Sequence, residues 1–191
     1  MFEAKPILQD GNKLLRKKSK KVKKPYSQED RDLAKYLHDY LAFTQKPENI
    51  EKYNLRAGVG LAAPQLGVLK RICAIRIEYF NDENDKEKVT SVTSFAFINP
   101  KIISYAQRKA YIIAGEGCLS ITEEHKGYVP RAAFVTVQGY DALTEQELTV
   151  KLRGYEAIVI QHELDHLEGI LFYDHIDKED PFKKIPGALE I

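Results

Sequence analysis

The sequence predicts an α+β fold in which mostly antiparallel strands surround one central buried helix, with an amphipathic helix nearer the N-terminus. Three observations carry this expectation. Period-two alternation recurs at residues 71–80, 133–140 and 147–152; residues 155–168 follow a helical period that is apolar around most of its circumference; and residues 29–44 carry a one-sided leucine stripe. A chain of 191 residues with 43% hydrophobic content can build one sizeable core and is short for two, so residues 1–191 are expected to form a single domain. No internal repeat and no Pro- or Gly-rich linker marks a boundary.

The first element is basic. Residues 13–24, KLLRKKSKKVKK, carry eight Lys or Arg side chains and stop just before Pro25. They read as a solvated basic arm, with contact to an acidic surface such as ribosomal RNA as the functional alternative. Ser27 is placed to cap the following helix, Asp30 sits three residues on as a capping-box partner, and Leu33, Leu37 and Leu41 form the buried stripe. In RICAIRIEYF, Cys73, Ile75, Ile77 and Tyr79 share one parity while Arg76 and Glu78 share the other. Charged NDENDKEK and then β-rich VTSVTSFAFINP follow this strand pattern, which predicts a hairpin there.

Composition narrows the function. Twenty-nine basic against 28 acidic residues leave a net charge of +1, which argues against neutralising many phosphates and against specific DNA binding. No run of 18 apolar residues exists and the N-terminus lacks a signal-peptide core, so no membrane association and a cytoplasmic location are expected. Two cysteines, Cys73 and Cys118, are in such a compartment more often a ligand, a nucleophile or core filler than a disulfide. Cys73, within a strand pattern, reads as filler.

The chemistry is concentrated on the buried helix. His162-Glu163-Leu164-Asp165-His166 has the H-E-x-x-H form, in which two imidazoles one turn apart can bind a divalent ion and the glutamate between them can move protons. Ala157, Ile160, Leu164 and Leu167 form an apolar stripe, Tyr155, Ile158 and Val159 lie on the side of the histidines, and Gln161, Asp165 and Glu168 make a narrow polar arc. Histidines and a glutamate in so apolar a helix are costly unless something binds them. A third ligand is needed, and Phe172 stands where an extended protease motif would have a histidine. Glu179, Asp180, Glu190 and His175 are downstream candidates of the zincin type, but KEDPFKKIPGALEI has no helical pattern. Cys118, in Glu116-Gly117-Cys118-Leu119-Ser120, is the better one, because a thiolate with two imidazoles suits zinc or iron.

Gly58-Val59-Gly60-Leu61-Ala62-Ala63-Pro64-Gln65 contains G-x-G-x-x-A, but no hydrophobic strand precedes it and no helix opens after it, so a dinucleotide site is excluded on context. Its glycines suit close approach to an extended ligand, and Gln65 offers an amide donor for a developing oxyanion.

GVGLAAPQ at 58–65, EGCLS at 116–120 and QHELDHLEG at 161–169, in that order, closely resemble the three motifs of peptide deformylases. The stretch around 81–94 and the non-helical tail resemble the subtype common in Gram-positive bacteria. The resemblance implies metal ligation by Cys118, His162 and His166, with ferrous iron (Fe2+) as the ion and Zn2+ as a possible substitute. It implies hydrolysis of the formyl group from N-formylmethionyl ends of nascent polypeptides, releasing formate. Glu163 is then the acid–base, and the Gln65 amide and Leu119 N–H bind the oxyanion. Val59 and Gly60 pair with the substrate backbone, and Tyr155, Ile158 and Val159 wall the methionine pocket. Behind the ligands, Glu116 is a candidate partner for an imidazole, and Asp165 is expected to pair with Arg131.

Overall fold

The computed structural model describes residues 3–81 and 89–191. It is an α+β fold. A five-stranded, wholly antiparallel sheet has the order β1 (Gly60–Ala62), β2 (Ile72–Phe80), β3 (Val89–Tyr105), β6 (Phe134–Asp141), β7 (Gln146–Arg153). A small second sheet has β4 (Lys109–Tyr111) between antiparallel β5 (Arg131–Ala132) and parallel β8 (Leu189–Glu190). Three α-helices accompany them: α1 (Gln28–Thr44), α2 (Pro47–Tyr53) and α3 (Gly154–Glu168).

Strand β2 explains how the layers are held. Its Cys73, Ile75 and Ile77 pack with Phe97, Val135 and Val137 against Ala157, Ile160, Leu164 and Leu167 of α3. Its Ile72 and Ala74 point the other way, into a cluster with Ala34, Leu37, Tyr40 and Leu41 of α1. Parity alone suggested one apolar face, but the first half of β2 is buried on both, because a helix covers each side of the sheet. Helix α3 also touches the small sheet, where Ile158 packs with Ala110 and Ala133. It ends at Gly169, whose φ of +75° is the left-handed cap that stops a helix.

Helix α1 starts at Ser27, whose hydroxyl accepts the Asp30 N–H at 3.1 Å and donates to the Asp30 carboxylate at 2.6 Å. The carboxylate thus answers through the hydroxyl of Ser27, and it also pairs with Lys70 at 2.7 Å. Strands β2 and β3 pair antiparallel from Ile72 with Ile98 to Phe80 with Val89, as a hairpin requires, and residues 82–88 between them lie outside the described ones.

The basic segment is no free arm. Lys13–Arg16 forms a 3-10 turn with Leu15 buried, Val22 is buried, and Ser19 N–H donates to the Leu167 carbonyl at the end of α3, at 2.8 Å. Two buried apolar side chains and main-chain bonds pin the strap, while its lysines stay exposed. Among the described residues no helix is long and apolar enough to cross a membrane.

Candidate metal centre

Helix α3 presents His162, Glu163 and His166, all buried, toward the turn that carries Cys118. One ligand atom each from Cys118, His162 and His166 lies within 4.8 Å of the others, and Cys118 Sγ is 3.3 Å from His166 Nε2. Thiolate plus two imidazoles is the donor set of a tetrahedral divalent ion with one open position, so the residues fit such an ion. A second observation agrees: Glu163 Oε2 and His166 Nδ1 are buried without a hydrogen-bond partner among the described residues. None of the downstream zincin candidates approaches. His175 Nε2 is bound to Asp165 at 2.7 Å, Glu190 accepts from the Tyr111 hydroxyl at 2.6 Å, and Glu179 and Asp180 are exposed.

A charged network stands behind Cys118, His162 and His166. His162 Nδ1 lies 2.8 Å from Glu116 Oε2, and Arg131 grips the same carboxylate with two bonds of 2.8 and 2.9 Å. Arg131 also pairs with Asp165. Burial would push the Glu116 carboxyl up, but hydrogen bonds from Arg131 and His162 outweigh it and hold the group at about 2. Glu163 has no such partners. Burial drives its carboxyl up to about 7, with the charge of His162 opposing and that of Glu116 assisting. The two imidazoles differ: burial pushes both down, but bonds to Cys118 and Glu116 lift His162 to about 10 while His166 falls well below its ordinary value.

Opposite α3 lies the glycine-rich segment. Ala62 N–H donates to Gln65 Oε1 at 2.8 Å, which leaves Gln65 Nε2 facing Ser120 Oγ at 3.0 Å and Cys118 Sγ at 3.6 Å. The orientation of the amide is therefore set by a backbone donor. Gly60 is glycine for a reason unseen in the sequence: a Cβ there would stand 2.2 Å from Glu163 Oε1. Gly60 opens β1, the edge strand of the large sheet, Val59 immediately precedes it, and both line a cleft of about 310 Å³. Its walls include Tyr155, Ile158, Val159, Ile112 and Leu119 together with Cys118, His162 and Glu163. Sequence reasoning missed Arg56 and Gln45, which also line it; Gln45 Nε2 donates to the carbonyls of Gly58 and Arg76, each at 2.8 Å. It also missed Phe172, whose ring stacks beside His162 with centroids 6.0 Å apart.

A buried Cys/His/His set, a carboxylate near neutrality and amide donors around one half-apolar cleft define a class, the metal-dependent hydrolases of amides. Within that class the chain belongs to the polypeptide deformylase family, whose sequence model matches residues 4–182. It is 44% identical over 191 residues to peptide deformylase 2 of Geobacillus stearothermophilus, a match covering 100% of this chain and 99% of that one. It is 46% identical over 184 residues to a peptide deformylase of Levilactobacillus brevis, covering 96% of each. The crystal structure of a class I type b peptide deformylase from Acinetobacter baumannii, bound to Met-Ala-Ser, superposes with a TM-score of 0.70 at 27% identity, covering 92% of this chain and 100% of that one. Relatives named peptide deformylase 2 in Geobacillus stearothermophilus and Bacillus subtilis fit the Gram-positive subtype. The chain is thus a metal-dependent hydrolase that removes the formyl group from the N-termini of nascent polypeptides.

Proposed function

We propose that this hydrolysis is carried out by one catalytic domain of residues 1–191, built around α3, with Cys118, His162 and His166 as the metal ligands. The observation that carries the reading is the approach of those three ligand atoms beside the unpartnered carboxylate of Glu163. When bound, the ion supplies a Lewis acid that polarises the formyl oxygen and lowers the pKa of water.

The remaining work falls to side chains and backbone. The outer edge of β1 at Val59 and Gly60 takes the substrate backbone as an added strand. Tyr155, Ile158 and Val159 enclose the methionine side chain, leaving the formyl group over Glu163. Glu163, near neutrality, accepts the proton of the attacking water and delivers it to the departing amine. The oxyanion is met by Gln65 Nε2 and by the Leu119 N–H. The Met-Ala-Ser bound to the Acinetobacter baumannii enzyme has the chemistry of a deformylated product and supports a peptide beginning with methionine as the ligand class. Glu116, held by Arg131, fixes the imidazole of His162, and the pairing of Asp165 with Arg131 ties α3 to β5.

We assign Fe2+ as the working ion, with Zn2+ as a slower, air-stable substitute, because thiolate and imidazole donors suit both and an oxidisable sulfur beside an open position makes the iron form sensitive to oxygen. The reading takes the cytoplasm as its location, where nascent chains are made, with ribosome contact through residues 13–24, whose exposed lysines border a concave surface with Arg71, Lys101, Glu147 and Glu168. Anaerobic purification with metal analysis, coupled to formate release from a formyl-methionyl peptide, tests the assignment. One metal per chain, most active as iron and losing activity in air, is expected; equal rates with zinc would overturn the choice of iron.

A further inference from the structure

Cys118 to Ile121 form a turn closed by the Ile121 N–H on the Cys118 carbonyl at 3.2 Å. The closing bond of such a turn leaves the N–H of its second residue unused. That residue is Leu119, and its N–H has no hydrogen-bond partner among the described residues. The other end of the same peptide unit is occupied. Arg56 Nη2 donates to the Cys118 carbonyl at 3.0 Å and Arg56 Nη1 to the Ile121 carbonyl at 3.0 Å, so one guanidinium grips both ends of the turn. Arg56 lies two residues before Gly58, outside each motif, and faces the cleft.

A peptide unit is a conjugated system, so a cation at its oxygen draws density toward that oxygen and leaves its N–H more polar. Charge-assisted bonds are the strong ones, and linked bonds reinforce one another by roughly 10–30% each. The fork also fixes the plane of the peptide, and therefore the direction of the N–H. A planar guanidinium can hold two carbonyls at once, whereas an ammonium is a single point charge.

We propose that Arg56 is a positioning residue for the hydrolysis: through the Cys118–Leu119 peptide unit it aims and polarises the Leu119 N–H that receives the oxyanion. The proposal rests on the oxyanion role given to Leu119 and Gln65 above. It makes Arg56 matter to the transition state without contact with the reacting atoms.

The test uses metal-loaded Arg56→Gln and Arg56→Lys enzymes beside Gln65→Ala. For Arg56→Gln we expect kcat to fall about tenfold with KM within about threefold of the parent and metal content unchanged, less than the loss of about 10² to 10³ from deleting an oxyanion donor outright. Arg56→Lys should retain part of the rate. In the zinc-loaded, diamagnetic protein the Leu119 amide proton should move upfield in Arg56→Gln while the Gln65 side-chain amide and the His162 and His166 ring resonances stay in place, whereas a merely structural loss of the turn would move them together. An unchanged kcat, an effect confined to KM, or an unmoved Leu119 resonance overturns the proposal. A loss in Gln65→Ala with none in Arg56→Gln sinks Arg56 and leaves the oxyanion site standing; no loss in either sinks both.

Discussion

Cys73 and Cys118 are both free and both buried, at 0% and 7% exposure, yet they sit in opposite kinds of place. Cys73 lies in β2 opposite Phe97, among Ile75, Val137 and Leu164. Burial pushes its thiol well above the ordinary value, and the charge of Glu163 pushes the same way, which leaves it a small hydrophobe. Cys118 sits in a turn with the Gln65 amide on one side and His166 Nε2 on the other. Depth does not separate them; the neighbours do. A thiol becomes a ligand where donors and imidazoles converge on it.

The sharpest way to break this comparison is to remove each sulfur in turn. Cys118→Ala should lose bound metal and essentially all formate release, whereas Cys73→Ala should keep both and cost on the order of 1 kcal/mol in urea unfolding. Metal retained by Cys118→Ala would make Cys118 a filler too. Next in size, Glu163→Gln should keep metal at parental stoichiometry while kcat falls on the order of 10² to 10⁴, the range for a positioned acid–base group. Loss of the ion along with the rate would show Glu163 to be a ligand. Gly60→Ala forces Glu163 aside and should cost on the order of 10² in kcat without metal loss, since small displacements of a reacting group are expensive. A crystal structure of that variant with Glu163 unmoved would refute the mechanism of the loss.

The last effect falls on stability rather than on rate, a pH dependence behind Cys118. The Glu116 carboxyl is held at about 2 against an ordinary 4.5, so its contribution is complete above about 4.5 and drains away as pH falls toward 2. On the order of 3 kcal/mol of unfolding free energy should disappear across that window. Glu116→Gln should flatten this part of the curve, and an unchanged pH profile would show that the Arg131 lattice contributes nothing there.

What could be read from the sequence was whatever lies within one element. The span of α3, the spacing of His162 and His166, and the stripe of Leu37 and Leu41 follow from helical rotation alone. The approach of Cys118 to that helix had no local signal and came from resemblance to a family. Nothing in residues 47–53 or 189–190 announced α2 or β8, since a seven-residue helix and a two-residue strand are set by their partners. Gly60 looked like room for a ligand, and its missing Cβ proved to be room for Glu163. Arg56 was invisible because its partners are two backbone carbonyls more than 60 positions away, which side-chain identity cannot encode. The basic segment misled because charge reports what is solvated, and the strap is held by Leu15, Val22 and main-chain bonds.

That strap sets an order of assembly. Leu8 N–H donates to the Gln65 carbonyl, Asp10 N–H to that of Ser120 and Ser19 N–H to that of Leu167, so the segment made first in synthesis is fastened by segments made progressively later. Gln65 and Ser120 can be met as soon as they emerge, but the end of α3 gains this outer support only when the chain is nearly complete. An enzyme for newborn polypeptides therefore cannot finish its own site while it is one: the Ser19 N–H of the strap has no partner at the end of α3 until Leu167 has emerged.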